Sequence, residues 1–130
     1  MSQADVAITE QFLKAFQAGD VGTAFGMIHP ECVFDEGQGL PYEGQYVGTA
    51  GLQELVGKIM TPMEMVVDSF TVSDGGDCAI ARIELTFTSR SSGRSLTIPS
   101  IELYETKDGL VSKIDIYYKS THAVAELAAE

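Results

Sequence analysis

The sequence predicts an α+β fold in which helices come first and an antiparallel sheet follows. Before residue 63 the apolar residues recur at the three-to-four-residue spacing of amphipathic helices. From residue 63 onward they alternate, as in strands with one buried face. Short turns that contain glycine separate these alternating stretches. Because such turns join neighbouring antiparallel strands, we expect the second half of the chain to form an antiparallel meander.

The length and net charge of the chain limit the functions that it can have. The 130 residues fit a single domain spanning 1–130, and a content of 45% hydrophobic and 21% charged residues is typical of globular proteins. The formal net charge of −11 disfavours nucleic acid and anionic membrane surfaces as partners. No stretch approaches the ~18 apolar residues of a membrane span, and the N-terminus lacks a secretory signal pattern. We therefore expect a cytoplasmic protein.

Cysteine and histidine give no metal signature. Cys32 and Cys78 each begin a short apolar run and are expected to act as small buried side chains. His29 and His122 lie far apart, without the nearby partners that a zinc site needs. The sequence therefore predicts no metal site.

The first helix is predicted from an apolar stripe that includes Phe12 and Phe16. Ser2 and Asp5 have the spacing of a capping box at its start, and Gly19 stands where a helix ends.

Two further helices follow. Asp20 is expected to cap a short helix that runs to Ile28 and is stopped by His29-Pro30. After a short β-prone run at 32–34 and a glycine-rich loop, Thr49 is expected to cap a third helix that ends before Pro62.

Four strands are predicted near residues 63–73, 77–90, 95–106 and 109–119. Alternation in the third strand decides which side chains face the helices. If Glu102 faces them, Ile101 and Leu103 are left on the open face, where they would form a surface for a second copy. The final residues, 122–130, predict a short helix or a frayed end.

Several short motifs occur in a fixed order: Ala18-Gly19-Asp20, Val33-Phe34-Asp35-Glu36, Leu40-Pro41-Tyr42, Tyr46-Val47-Gly48, Glu102-Leu103-Tyr104 and Asp108-Gly109-Leu110-Val111. In them the chain resembles the nuclear-transport-factor-2-like superfamily, and most closely its SnoaL-like and ketosteroid-isomerase-like members. The resemblance implies a cone-shaped fold with three N-terminal helices packed on a curved, mainly antiparallel sheet that encloses a pocket. It also implies a small hydrophobic metabolite as ligand, no cofactor, and a homodimer formed through the open sheet face.

The resemblance places a catalytic base at the end of the first strand. In isomerase-like relatives a carboxylate there removes a proton beside a carbonyl. Counting from Asp20 without gaps assigns this role to Glu36, whereas counting back from Gly44 assigns it to Asp35. We favour Glu36, because it shares its strand face with Phe34.

Glu102 matches the position of an acid that stays protonated in those isomerases and donates to an oxyanion. The alternative is a salt bridge at the rim of the sheet. Two positions depart from the relatives: Phe12 replaces an oxyanion-holding tyrosine, and Ile116 replaces an aspartate found in SnoaL-like cyclases. The residues expected to contact the ligand are Phe12, Phe16, Tyr42, Tyr46, Ser100, Ile116 and Tyr118.

Three functions therefore remain open. The first is a cofactor-free isomerase, cyclase or lyase that uses carboxylate acid-base chemistry on a hydrophobic, carbonyl-bearing metabolite. The alternatives are a small-ligand-binding domain without chemistry and an epoxide hydrolase of the same fold. The missing tyrosine and aspartate favour the binding domain, whereas the acidic residues favour the enzyme.

Overall fold

The structure, a computed structural model, describes residues 2–130 except for the side chain of Ser2, so the capping contact predicted for Ser2 lies outside the described residues. The helices of the described chain are α1 (Ser2–Gln17), α2 (Val21–Phe25), α3 (Gly48–Met60) and α4 (Thr121–Ala128). Its strands are β1 (Ile28–Glu36), β2 (Gly44–Val47), β3 (Met63–Asp74), β4 (Ala79–Ser89), β5 (Ser95–Lys107) and β6 (Leu110–Tyr118). None of these helices is long and apolar enough to cross a membrane.

All six strands belong to one curved, open sheet in the order β2-β1-β6-β5-β4-β3. Every neighbouring pair is antiparallel except β1 and β6, which run parallel. Helix α1 packs across β3, β4 and β5, and α3 packs against β1, β2 and β3. The helices thus cover one face of the sheet, here called the inner face, and the predicted α+β class is confirmed.

Side-chain alternation follows the sequence prediction closely in β4. Ala79, Ala81 and Ile83 are buried on the inner face, whereas Arg82 and Glu84 are exposed on the opposite, outer face. Every second side chain can be buried because successive residues of a strand point to opposite faces.

Strand β1 begins earlier than the sequence predicts. Ile28 and His29-Pro30 belong to the strand, so they neither extend nor stop α2, which ends at Phe25. The pairing of β1 with β6 shifts register between Ile28 and Val33. Proline is tolerated at such an irregularity, because a bulge leaves backbone N–H groups outside the regular ladder.

Helix α3 begins without a side-chain cap. The helix starts at Gly48 after the N-cap Val47, which makes no capping hydrogen bond, so the prediction of Thr49 as the cap was wrong. Gly48 has φ +69°, and a Cβ there would lie 2.7 Å from the carbonyl oxygen of Pro30. Only glycine meets both demands, and this close approach fixes α3 against β1.

The helix predicted for 122–130 forms as α4, capped by the Ser120 side chain, which accepts from the Ala123 N–H. Val124 and Leu127 are the buried side chains of this helix. At its end Glu130 accepts hydrogen bonds from Ser92 and from Arg94 in the β4–β5 turn. These contacts tie the C-terminal residue to the sheet.

Candidate active site

A cavity of about 80 Å³ lies between the inner face of the sheet and helices α1 and α3. Its polar wall consists of Glu36, Glu102, Tyr104 and Tyr118. The apolar wall is formed by Phe12, Leu13, Phe16, Phe34, Leu52, Leu55, Val56, Ile59, Met65, Val67, Ile83, Leu85, Ile114 and Ile116. Two carboxyl groups therefore share a small, mainly hydrocarbon enclosure.

Glu36 is the more isolated of the two. It ends β1 with only 5% of its surface exposed, and its Oε1 has no hydrogen-bond partner among the described residues. Burial raises the pKa of this carboxyl to about 8, and the negative charges of Glu102 and Asp35 act in the same direction. Near neutral pH, Glu36 is thus poised to exchange a proton.

Glu102 has a partner on its own strand. Tyr104, which is 1% exposed, donates its hydroxyl to Oε1 of Glu102 at 2.7 Å. Burial raises the pKa of Glu102 to about 7, although the hydrogen bond from Tyr104 opposes this change. One oxygen of Glu102 is therefore occupied, and the other does not accept from Tyr104.

Strand pairing brings the two glutamates together. β6 lies between β1 and β5, and its Ile116 is the register partner of Glu102. On the other side Asp35 pairs with Asp115, so Glu36 follows one residue beyond, beside Ile116. The two Cα atoms are thus separated by two strand spacings, roughly 9–10 Å. Glutamate side chains on one face can converge across that distance.

Tyr118 supplies a hydroxyl at the same wall. The Tyr42 hydroxyl donates to the Tyr118 hydroxyl at 3.1 Å, which leaves the Tyr118 proton free to be donated to a ligand. The Tyr46 hydroxyl in turn donates to the Tyr42 carbonyl at 3.0 Å and accepts from Lys58. Tyr42 and Tyr46 are not among the residues that line the cavity. Tyr42 holds Tyr118 directly, and Tyr46 holds the backbone of Tyr42.

Asp35 and Ser100 lie away from the cavity. Asp35 accepts a weak hydrogen bond from Gln45 at 3.4 Å and is not among the residues that line the cavity. It borders a second groove, which Glu36 and Tyr118 also line. Ser100 is buried and donates to the Tyr117 carbonyl at 3.2 Å, and it does not line the cavity. Of the acidic pair at the end of β1, Glu36 alone faces the cavity.

The aromatic side of the cavity is built around Phe12. Its ring contacts Phe16 at a centroid distance of 5.0 Å and Tyr104 at 5.9 Å, both edge to face. Tyr104 was not among the site residues predicted from the sequence. Alternation could have found it, because it lies two residues after Glu102 and so shares its face.

The arrangement offers one unpaired carboxyl, one carboxyl held by a tyrosine, and a free phenolic proton. Such a set can remove a proton from a ligand and donate a hydrogen bond to its oxygen. Among the described residues, no group of three or more His, Cys, Asp or Glu is placed to hold a metal ion.

Solved structures of similar shape span nearly the whole chain. TerC, co-crystallised with polyporic acid, is 18% identical with a TM-score of 0.85, and the alignment covers 98% of this chain and 99% of that one. A proposed polyketide cyclase from Xanthomonas campestris is 16% identical, with a TM-score of 0.81 and coverage of 96% and 97%.

An NTF2-like protein of unknown function from Burkholderia pseudomallei is 16% identical, with a TM-score of 0.86 and 98% coverage of both chains. At these identities the likeness establishes the fold and no activity. No curated protein sequence matches the chain significantly. Residues 9–114, however, match the family model of the SnoaL-like domain. That match covers most of the chain, and the protein therefore belongs to the SnoaL-like family.

Proposed function

We propose that the protein is a cofactor-free isomerase, cyclase or lyase that moves a proton on a small, neutral, carbonyl-bearing molecule. The observation that carries the proposal is the environment of Glu36. A carboxyl that is 95% buried, has no partner for its Oε1 among the described residues and has a pKa near 8 has little structural use, but it is suited to proton transfer. The polyketide-cyclase description of similar structures supports the same class of activity.

In the proposed step, ionised Glu36 removes a proton from the carbon beside the carbonyl. The electron pair moves to the carbonyl oxygen, which becomes an enolate. The Tyr118 hydroxyl and the protonated oxygen of Glu102 donate hydrogen bonds to this oxygen. The proton on Glu36 is then returned to another carbon of the enolate as the carbonyl group forms again, and Glu36 is left ionised. Tyr104 and Tyr42 hold these two donors in place.

This assignment replaces the donor expected on α1. Phe12 carries no hydroxyl, but the phenols of Tyr104 and Tyr118 approach the cavity from β5 and β6. The polarising groups would therefore come from the sheet, opposite the helix that carries the donor in ketosteroid-isomerase-like relatives.

Cavity size limits the part of the substrate that is enclosed. The volume of about 80 Å³ is near half that of a ~150 Å³ apolar cavity that accepts benzene. The enclosed portion is therefore a few heavy atoms, and a larger substrate would require α1 or α3 to move.

The test is exchange of the α-protons of a small ketone, such as butanone, for deuterium in D₂O, followed by proton NMR. Wild-type protein should accelerate exchange above the buffer rate. Glu36→Gln should remove about 10²–10⁴-fold of this acceleration, because an amide cannot accept the proton. Asp35→Asn is the matched control and should stay within about threefold of wild type. Undiminished exchange by Glu36→Gln would refute the assigned base.

The rate should follow a bell-shaped pH profile. Glu36 must be ionised and has a pKa near 8, whereas Glu102 must be protonated and has a pKa near 7. Because the charge of Glu102 contributes to the raised pKa of Glu36, the two carboxyls titrate as a pair, and the rate should be largest between these two pKa values and fall on either side. Replacing Glu102 with Gln should remove the alkaline limb of the profile.

The second candidate is a small-ligand-binding domain without chemistry, which Phe12 and Ile116 favour because both are apolar where relatives are polar. It predicts that butanone and similar ketones bind, with saturable shifts of the cavity methyl groups, while deuterium exchange stays at the buffer rate. Exchange that depends on Glu36 would exclude it.

A further inference from the structure

The charge of the cavity wall is one-sided. Its carboxyl groups belong to Glu36 and Glu102, and no lysine, arginine or histidine is among the residues that line it. A carboxylate or phosphate entering this space would meet like charge in a medium of low polarity, where repulsion is strong. The wall is thus compatible with neutral or positively charged ligands.

Glu36 lacks a hydrogen-bond donor for its Oε1 within the described residues. Its Oε1 is buried and has no partner within the described residues, whereas Glu102 already accepts from Tyr104. A buried carboxylate without a partner is costly, and removing that cost requires a donor, best a charged one. In the described part of the chain no side chain fills this role.

The rest of the wall suits the alkyl part of a cation. Most of its residues are aliphatic, and Phe12, Phe16 and Phe34 contribute aromatic rings. Aromatic faces attract ammonium groups through the ring quadrupole, and more strongly where water is excluded.

We propose that this cavity binds small lipophilic primary ammonium ions, with the charged group paired to Glu36 and the alkyl group against the apolar wall. The three N–H donors have three acceptors at hand: the free oxygen of Glu36, the oxygen of Glu102 that Tyr104 leaves open, and the Tyr118 hydroxyl. This property goes beyond the proposed proton transfer, because binding requires no reaction.

Binding of the cation is coupled to release of a proton. Glu36 has a pKa near 8 in the free protein and must ionise to pair with the ammonium group, so affinity rises with pH up to that value. Alkylammonium ions resemble lysine, with a pKa of about 10.4, and stay charged over this range. Between pH 6 and pH 9 the affinity should rise roughly 50–100-fold. The titratable groups near Glu36 are Glu102, Tyr104 and Tyr118 in the cavity wall, and Asp35 and Tyr42 outside it. The cavity-lining residues of α1, α3, β3 and β4 are apolar.

The experiment compares three probes that share a branched four-carbon skeleton: isobutylammonium, isobutanol and isobutyrate. Each is titrated into the full chain at pH 8, and methyl NMR of cavity residues such as Leu55 and Ile114 reports binding. Isobutylammonium should bind at least about tenfold more tightly than isobutanol, and isobutyrate should give no saturable shift. Equal affinity for the ammonium ion and the alcohol would overturn the proposal, as would no binding of either.

Two variants locate the charge pair. Glu36→Gln should lower the affinity for isobutylammonium at least about tenfold, and the pH dependence that remains should be the smaller one of Glu102, centred near pH 7. Binding of isobutanol should be unchanged, which shows that the cavity persists. Asp35→Asn removes the same charge one residue away, outside the cavity, and should leave all affinities within about threefold. An undiminished ammonium preference in Glu36→Gln would place the cation elsewhere and overturn the proposal.

The outcomes also separate this proposal from the proposed function. If ammonium binding fails while α-proton exchange still depends on Glu36, the cation site is wrong and the enzyme assignment stands. If ammonium binds with the expected pH dependence while no exchange occurs, the cation site stands without the enzyme.

Discussion

The two faces of the sheet differ in chemistry although the same strands build both. On the inner face, residues such as Ile83 and Leu85 are almost fully buried around two carboxyl groups with raised pKa values. On the outer face, carboxyl groups such as Asp115 pair with neighbouring hydroxyls beside water. Asp35 and Glu36 are consecutive, yet they fall into these different environments. Position in the strand, and not residue type, therefore sets the reactivity of a carboxyl here.

The outer face is itself partly apolar. Val66, Ile101 and Tyr117 expose 51%, 37% and 54% of their surfaces there. We propose that two copies of the chain associate through this face. These three side chains stay exposed in the single chain, and a second copy would bury them.

The largest effect is expected from Glu36→Gln on stability. The pKa of Glu36 is about 8 in the folded chain and 4.5 when unfolded, so the folded state binds this proton more tightly. Stability is therefore lost as pH rises from about 4.5 through 8, by roughly 3–5 kcal/mol in total. Gln does not titrate, and between pH 5 and pH 9 the variant should gain that amount relative to wild type in urea unfolding. Asp35→Asn should show no comparable gain.

Truncating a side chain should lower the free energy of unfolding several-fold more on the inner face than on the outer face. Leu85→Ala on the inner face removes buried methyl groups and should cost about 2–5 kcal/mol of unfolding free energy. Val66→Ala on the outer face should cost about 0.5 kcal/mol or less in the monomer. Comparable losses in thermal and urea unfolding would contradict the distinction between the faces.

Removing the hydrogen bond between Tyr42 and Tyr118 should have a smaller effect on stability. Tyr42→Phe removes the donor to Tyr118 in a buried setting and should cost about 1–1.5 kcal/mol. Ketone exchange should fall as well, because Tyr118 loses its support. Tyr117→Phe, which removes an exposed hydroxyl bound to Asp115, is the matched control and should change neither quantity measurably.

The smallest effect on the folded monomer is expected from Ile101→Asp. Its side chain lies on the outer face, so monomer stability should change by about 0.5 kcal/mol or less. Association should be weakened strongly, because the charge would be buried between copies. Sedimentation velocity at micromolar concentration measures this, and a wild-type chain that is strictly monomeric would refute the proposed dimer.

Much of the fold could be predicted because β3 to β6 are long, alternating and joined by short turns. Alternation also predicted that Glu102 shares a face with Ile98 and Ser100, but it did not decide which face turns toward the helices. The short β2 was missed, since Gly44–Val47 lies among glycines and forms a strand only through pairing with β1. The start of β1 was missed because Pro30 is a strong local stop signal, which pairing with β6 overrides.

The candidate site was harder to predict than the fold. The direction of Glu36 could be inferred from its parity with Phe34, but two gap-free counts disagreed about which acid occupied the key position. Tyr42 and Tyr46 are predicted from the sequence to contact the ligand, whereas in the structure Tyr42 bonds to Tyr118 and Tyr46 bonds to the Tyr42 carbonyl. The role of a residue that holds a cavity side chain in place depends on contacts between distant segments of the chain, and residue spacing does not encode these contacts.

The parallel pairing of β1 with β6 has a consequence for the order of folding. Strands β3 to β6 pair through short hairpins, whereas β1 pairs with residues about 80 positions further along the chain. Closing that long loop costs more entropy, so the meander is expected to form before β1 docks. Glu36 is carried on β1, and its carboxyl leaves water only at that last docking step. Alkaline solution, in which Glu36 must take up a proton or be buried charged, should therefore slow the final phase of refolding.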